Sequence, residues 1–130
     1  MVLLDTTFII DLMKEIPEAL EKAKKLEKRS EEIRIPTPVL FELWEGIERA
    51  DRSLEEEEEV LAVLESFLNL PLNPEHAKVA GRRSGELIEE GEMLDPIDVL
   101  IGGTAAAENE PLVTRNGDFE RISEVEVEGY

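Results

Sequence analysis

Val2-Leu3-Leu4-Asp5-Thr6-Thr7-Phe8-Ile9-Ile10 opens on an unbroken apolar run, meets an acid and two threonines, and turns apolar again. The run Val2-Leu3-Leu4 has no polar alternation and suits a short strand buried in a sheet. From Thr6 to about Glu15, the residues Phe8, Ile9, Ile10, Leu12 and Met13 predict a short helix. Asp5 stands at the junction, where the strand ends and the helix begins.

Working outward, the same alternation repeats. Pro17 to about Ser30 reads as a more polar helix with proline in its first turn. Ile33-Arg34-Ile35 is a second strand candidate. Thr37-Pro38 opens a helix to about Ala50, and Ser53 caps another over about Leu54 to Phe67. Leu68 to Leu72 supplies a third strand, Asn73-Pro74 a helix to about Glu90, and Asp95-Pro96 a helix to about Glu108. Pro111-Leu112-Val113-Thr114 and Val125 to Val127 complete the set. Short apolar strands alternating with helices predict an α/β domain built on a parallel sheet of four to five strands. No repeat or Ser/Gly-rich linker divides it, so residues 1–130 read as one domain. In such folds ligands bind beyond the carboxyl ends of the strands.

Composition narrows the chemistry. The 130 residues carry 32 Asp+Glu against 14 Lys+Arg, a net charge of -18, and 26 of the acids are Glu. Glu is a good helix former, so the run Glu55 to Glu59 and most of the charge are expected on solvated helix surface. Cysteine is absent, which removes disulfides, thiolate nucleophiles and cysteine-ligated zinc. The single histidine, His76, sits in a helix first turn and is expected at the surface or partly packed; a Ser-His-Asp triad is effectively excluded. No apolar run approaches the ~18 residues of a membrane span, and no basic leader precedes Val2, which predicts a soluble, cytoplasmic protein. The charge disfavours long-range attraction to nucleic acid and favours metal cations and basic partner proteins.

Four acids stand out from the helix-surface background. Asp5 caps the first helix or points into the site region beyond its strand. On the helix from Thr37, residues Val39, Leu40, Leu43, Trp44, Ile47 and Ala50 share a broad apolar face, and Glu42 falls at its border beside Gly46, where a ligand has room. Asp98 begins the run Val99-Leu100-Ile101-Gly102-Gly103-Thr104-Ala105-Ala106-Ala107, apolar or small all round. With Asp95 as N-cap and Pro96 next, Asp98 is either the acid of a capping box or a buried carboxylate in need of a cation. Thr114-Arg115-Asn116-Gly117-Asp118-Phe119 is a turn by its Asn-Gly signal, or a second strand end delivering polar groups beside Asp5. Asp5, Glu42, Asp98 and Asp118, with Thr6, Thr114 and Asn116 nearby, form an oxygen-rich set suited to magnesium or manganese. Such ions activate water and stabilise charge building on a phosphodiester under in-line attack.

Four segments together resemble the PIN domain, and within it the toxins of VapBC toxin–antitoxin systems: Leu3 to Leu12, Thr37 to Gly46, Asp98 to Ala105, and Leu112 to Phe119. The resemblance implies a parallel sheet flanked by helices on both faces and a magnesium- or manganese-dependent endoribonuclease. It implies that Asp5 and Asp98 ligate metal directly. Glu42 and Asp118 would ligate through water, position a second metal or orient the attacking water. Thr6 and Thr114 support the carboxylates or contact substrate, with Arg115 and Asn116 beside them. In many relatives the fourth acid falls where this chain has Asn116; in others it precedes the phenylalanine, where this chain has Asp118 in a segment one residue shorter. The family often dimerises and binds a small basic antitoxin, which implies RNA, antitoxin and a second copy of the chain as partners.

Other readings share some of these residues. An RNA-processing or quality-control nuclease of the same superfamily has the same acids, and a PIN-like binding module would have lost catalysis. A phosphoacceptor receiver domain also uses an acidic magnesium pocket, but needs a lysine after a late strand, and no lysine follows Lys78. An acidic surface obliges RNA to be drawn in locally, through bound metal and groups such as Arg115, Lys14, Arg82 or Arg83. The same charge suits a basic antitoxin well.

Overall fold

The apolar run that opens the chain becomes β1 (Val2–Leu4), wholly buried in the computed structural model, which describes residues 1–130. It lies at the centre of a five-stranded sheet of order β3-β2-β1-β4-β5, in which all four pairings are parallel. The other strands are β2 (Ile33–Pro36), β3 (Leu68–Leu70), β4 (Leu112–Val113) and β5 (Val127–Glu128). Six helices connect them: α1 (Thr6–Met13), α2 (Pro17–Lys28), α3 (Thr37–Arg49), α4 (Ser53–Leu64), α5 (Pro74–Glu89) and α6 (Pro96–Glu108). The connections run first from β1 outward to β3 and then return to β4, so by the right-handed rule for parallel crossovers α1 to α4 cover one face and α5 and α6 the other. The α/β class and the parallel sheet therefore stand as expected.

Several local details differ from expectation. Ser53 does not cap α4; the helix begins on Ser53 itself, and Arg52, at the cap position, pairs instead with Glu55. The last strand starts two residues late. Val125 is held in a turn by its N–H to the Ile122 carbonyl, and the ladder with β4 begins only where Leu112 N–H meets the Glu126 carbonyl at 2.9 Å. The apolar face of α3 is narrower than its periodicity implies: Val39, Leu43 and Ile47 are buried, whereas Trp44 is 43% exposed.

His76 is 1% exposed rather than superficial. Its Nδ1 accepts from the Asn73 N–H at 3.2 Å, and its Nε2 meets Glu108 Oε1 at 2.7 Å. Both ring nitrogens are satisfied, which permits burial. The helix containing Asp98 is buried as its composition demands, with Val99, Ile101, Gly102, Gly103, Thr104 and Ala105 inside. Gly103 permits its contact with α5, because a Cβ there would lie 2.5 Å from the Ala80 Cα.

Candidate active site

The strand order reverses at β1, which has β2 on one side and β4 on the other. A crevice forms beyond the carboxyl ends of strands at such a reversal. Asp5 follows β1 and Thr114 follows β4, and the Asp5 N–H donates to the Val113 carbonyl at 3.1 Å. The Asp5 side chain is 2% exposed. It makes no cap to α1. Its Oδ2 instead accepts from Thr114 Oγ1 at 2.7 Å and Thr7 Oγ1 at 2.9 Å. Two hydroxyls from different elements thus orient one oxygen of a buried carboxylate and leave the other free of bonds within the chain.

Glu42 joins this group through α1. Thr6 Oγ1 donates to its Oε1 at 2.6 Å. Burial pushes the Glu42 carboxyl above its usual range; the Thr6 hydrogen bond opposes that rise, and the charges of Asp5, Asp95 and Glu45 add to it. No atom lies within 4 Å of a Cβ built on Gly46, and a cavity of about 290 Å³ opens there, bordered by Ile10, Lys14, Glu42, Gly46 and Glu59.

Asp98 lies in the first turn of α6, where Asp95 does the capping, accepting from the Ile97 N–H at 2.8 Å. Asp98 is left without a partner. Burial, then the charges of Glu42, Asp5, Asp95 and Asp118, raise its pKa from 3.8 to about 6. A capping role explains Asp95 and does not explain Asp98.

Asp118 sits in a short 3₁₀ turn over Gly117–Arg121. The Asn116 side chain caps this turn by accepting the Asp118 N–H at 3.0 Å. Asp118 itself is half exposed, 3.4 Å from Arg121 Nη1. Gly102 brings the turn close to α6: a Cβ there would lie 2.7 Å from Ile122 Cδ1 and 3.4 Å from Phe119 Cδ1. Of the two candidates for the fourth acid, Asp118 carries charge towards Asp98, while the Asn116 amide oxygen is occupied with backbone.

None of the chain's ion pairs includes Asp5, Glu42 or Asp98. The carboxylates are gathered without a counter-cation, in a donor set of hard oxygens that fits a divalent ion such as magnesium. They do not form a ready-made cage, since no three acidic or histidine side chains converge closely enough on one point. The arrangement is an open acidic cleft.

Arg115 does not turn towards these acids. It forks Asp11, with Nε to Oδ2 at 2.6 Å and Nη2 to Oδ1 at 3.2 Å. The Tyr130 hydroxyl donates to the same Oδ2 at 2.5 Å. Asp11 and Tyr130 escaped the sequence reading. The signal for Asp11 was an acid set inside the apolar run Phe8-Ile9-Ile10-Asp11-Leu12-Met13; Tyr130 carried none.

With this fold and cleft in view, the chain belongs to the PIN domain family, whose model matches residues 2–125. Ribonuclease VapC2 of Haemophilus influenzae is 29% identical over 133 residues, covering 98% of this chain and 96% of that protein. The crystal structure of DNA-bound VapBC from Salmonella typhimurium superposes with a TM-score of 0.87 at 26% identity, covering 98% of this chain and 96% of that one. VapBC2 from Rickettsia felis, bound to a DNA fragment from its promoter, superposes with a TM-score of 0.89 at 24% identity, over 99% and 98% of the two chains, and attests the fold. No helix is long and apolar enough to cross a membrane.

Proposed function

We propose that this chain is a divalent-metal-dependent endoribonuclease and the toxin of a toxin–antitoxin pair. The observation that carries this reading is the partnerless Asp98, held with Asp5 and Glu42 at the strand reversal of a PIN domain. The ribonuclease relatives support the choice of RNA as substrate.

Asp5 and Asp98 would hold magnesium or manganese, with Glu42 and Asp118 acting through water or on the attacking water. A bound divalent ion supplies a more acidic water and charge stabilisation for an in-line attack on phosphorus. The chain's own residues prepare for this. Thr114 and Thr7 fix the Asp5 carboxylate, Thr6 fixes Glu42, and Asn116 fixes the backbone that carries Asp118. Burial first, and then repulsion among the neighbouring acids, raise the Glu42 and Asp98 carboxyls, and a bound cation would offset both. Arg115, the residue after Thr114, would contact the substrate from beside the cleft.

The partner reading rests on charge and shape. A groove of about 660 Å³ joins apolar Leu12, Ile33, Phe67 and Leu68 to Glu27, Glu31, Glu32 and Glu65. It suits an amphipathic segment with a basic face, as a small basic antitoxin provides. A homodimer and a cytoplasmic location accord with the same reading.

The test is cleavage of RNA by the purified protein with manganese and with excess chelator. Cleavage that needs the metal and is lost in D98N supports the proposal; full cleavage in chelator, or in D98N, overturns it. A neighbouring gene whose small basic product suppresses the activity identifies the toxin role. A neighbourhood without one points to a housekeeping nuclease.

A further inference from the structure

Arg115 stands one residue beyond Thr114, whose hydroxyl bonds Asp5, so its side chain departs from the rim of the acidic cleft. It is held there by a fork to Asp11, a carboxylate 4% exposed on α1. A guanidinium offers five coplanar N–H donors, and this fork uses two of them. Of the other three, one on Nη2 and one on Nη1 make up the outer edge, and the second Nη1 N–H points back beside the side chain's own Cδ. Nη1 makes no bond within the chain, and the side chain is 57% exposed.

Tyr130 completes the clamp. Its hydroxyl donates to Asp11 Oδ2, and its ring meets buried Phe8 edge-on, with centroids 4.9 Å apart. The Arg115 hydrogen bond holds the Asp11 carboxyl below its usual range. Burial and Asp11 raise the Tyr130 phenol, which keeps its proton for donation. A cavity of about 270 Å³ is lined by Thr114, Arg115, Asn116, Gly117 and Tyr130, with Glu120, an exposed acid, also on its wall. An arginine ordered during folding loses little further freedom when it binds a phosphate, and its open edge matches two phosphate oxygens.

We infer that Asp11 and Tyr130 are positioning residues that hold the Arg115 guanidinium at the cleft rim with its outer edge presented to a backbone phosphate of the RNA strand. This rests on the ribonuclease reading above.

The test compares wild type, Tyr130→Phe, Arg115→Ala, Arg115→Lys and the Tyr130→Phe/Arg115→Ala double variant. Single-stranded RNA binding is followed by fluorescence anisotropy over a range of salt, and cleavage by steady-state kinetics with manganese. Tyr130→Phe keeps the ring on Phe8 and deletes only the hydroxyl. Arg115→Ala is expected to weaken RNA binding about tenfold and to reduce the salt slope by about 0.7. Tyr130→Phe is expected to raise Kd and KM together by roughly threefold with kcat unchanged, the mark of lost uniform binding. Arg115→Lys keeps the slope but not the full affinity, because it cannot make the fork. In the Arg115→Ala background, Tyr130→Phe has no further effect on RNA.

A Tyr130→Phe effect of equal size in both backgrounds means the tyrosine acts through the fold alone, and overturns the inference. Unchanged RNA affinity in Arg115→Ala does so too; if D98N still abolishes cleavage, the ribonuclease reading survives that failure. A wild type that neither binds nor cuts RNA overturns both.

Discussion

Replacing Asp98 by Asn removes a charge from a carboxyl that is half-buried and faces Glu42, Asp5, Asp95 and Asp118. In the metal-free chain its pKa is raised from 3.8 to about 6. At ~1.4 kcal/mol per unit, a rise of roughly two units favours the protonated form by ~3 kcal/mol. Asp98 keeps some contact with water and salt, which reduces the effect on stability to about 1 kcal/mol. The direction follows from proton binding. Through the window from 3.8 to about 6 the folded chain holds a proton that the unfolded chain has lost, so stability falls as pH rises through it and stays lower above.

Asp11 and Glu128 work in the opposite sense. Their lowered values contribute stability that is complete above their ordinary pKa values of 3.8 and 4.5 and is lost as pH falls. The D98N variant should therefore be more stable than wild type by about 1 kcal/mol at about pH 8, roughly 3–5 °C in Tm for a chain of this size. The difference should close near pH 4. Thermal melts of chelator-treated proteins at moderate salt measure it. Adding manganese should raise the Tm of wild type and leave D98N nearly unmoved, reversing their order, while D98N no longer cuts RNA. A D98N protein no more stable than wild type at the higher pH, or a gap that persists at the lower, refutes the reasoning.

Thr6→Val deletes the only hydroxyl donated to Glu42 at nearly constant volume; single-turnover cleavage should slow roughly tenfold with a stability change of about 1 kcal/mol. Asp118→Asn should reduce initial cleavage rates by about tenfold or more, whereas Asn116→Ala removes a cap, costs about 1 kcal/mol in urea unfolding and slows cleavage less. Gly103→Ala drives a Cβ to 2.5 Å from the Ala80 Cα and should destabilise by roughly 2–3 kcal/mol. Gly46→Ala, with open space around it, should be neutral or stabilise by up to ~1 kcal/mol, and urea midpoints rank the two glycines.

Much of this protein is legible locally. An unbroken Val2-Leu3-Leu4 run must be a buried strand, and a helix of small residues from Val99 to Ala107 must be packed from several sides, because burying apolar surface is the main drive available to them. That made the acids at Asp5 and Asp98 conspicuous. Glu42 was legible through its neighbour Gly46. Other features were not local. Trp44 follows the period of the α3 face yet lies exposed, because the helices packed against α3 cover a narrower stripe than its sequence offers. His76 looked superficial until Glu108, 32 residues away, satisfied its second nitrogen.

The sequence by itself determined the α/β alternation, the carboxyl-end placement of Asp5 and Thr114, and the acidic oxygen chemistry. These follow from residue type and period over a few neighbours. Only the tertiary structure decided which groups meet: Thr114 with Asp5 across 109 positions, Arg115 with Asp11 across 104, Tyr130 with Asp11 across 119. Those partnerships depend on β4 lying beside β1 and on the chain end returning to α1. Strand order is settled by the packing of the whole core, and no local stretch encodes it.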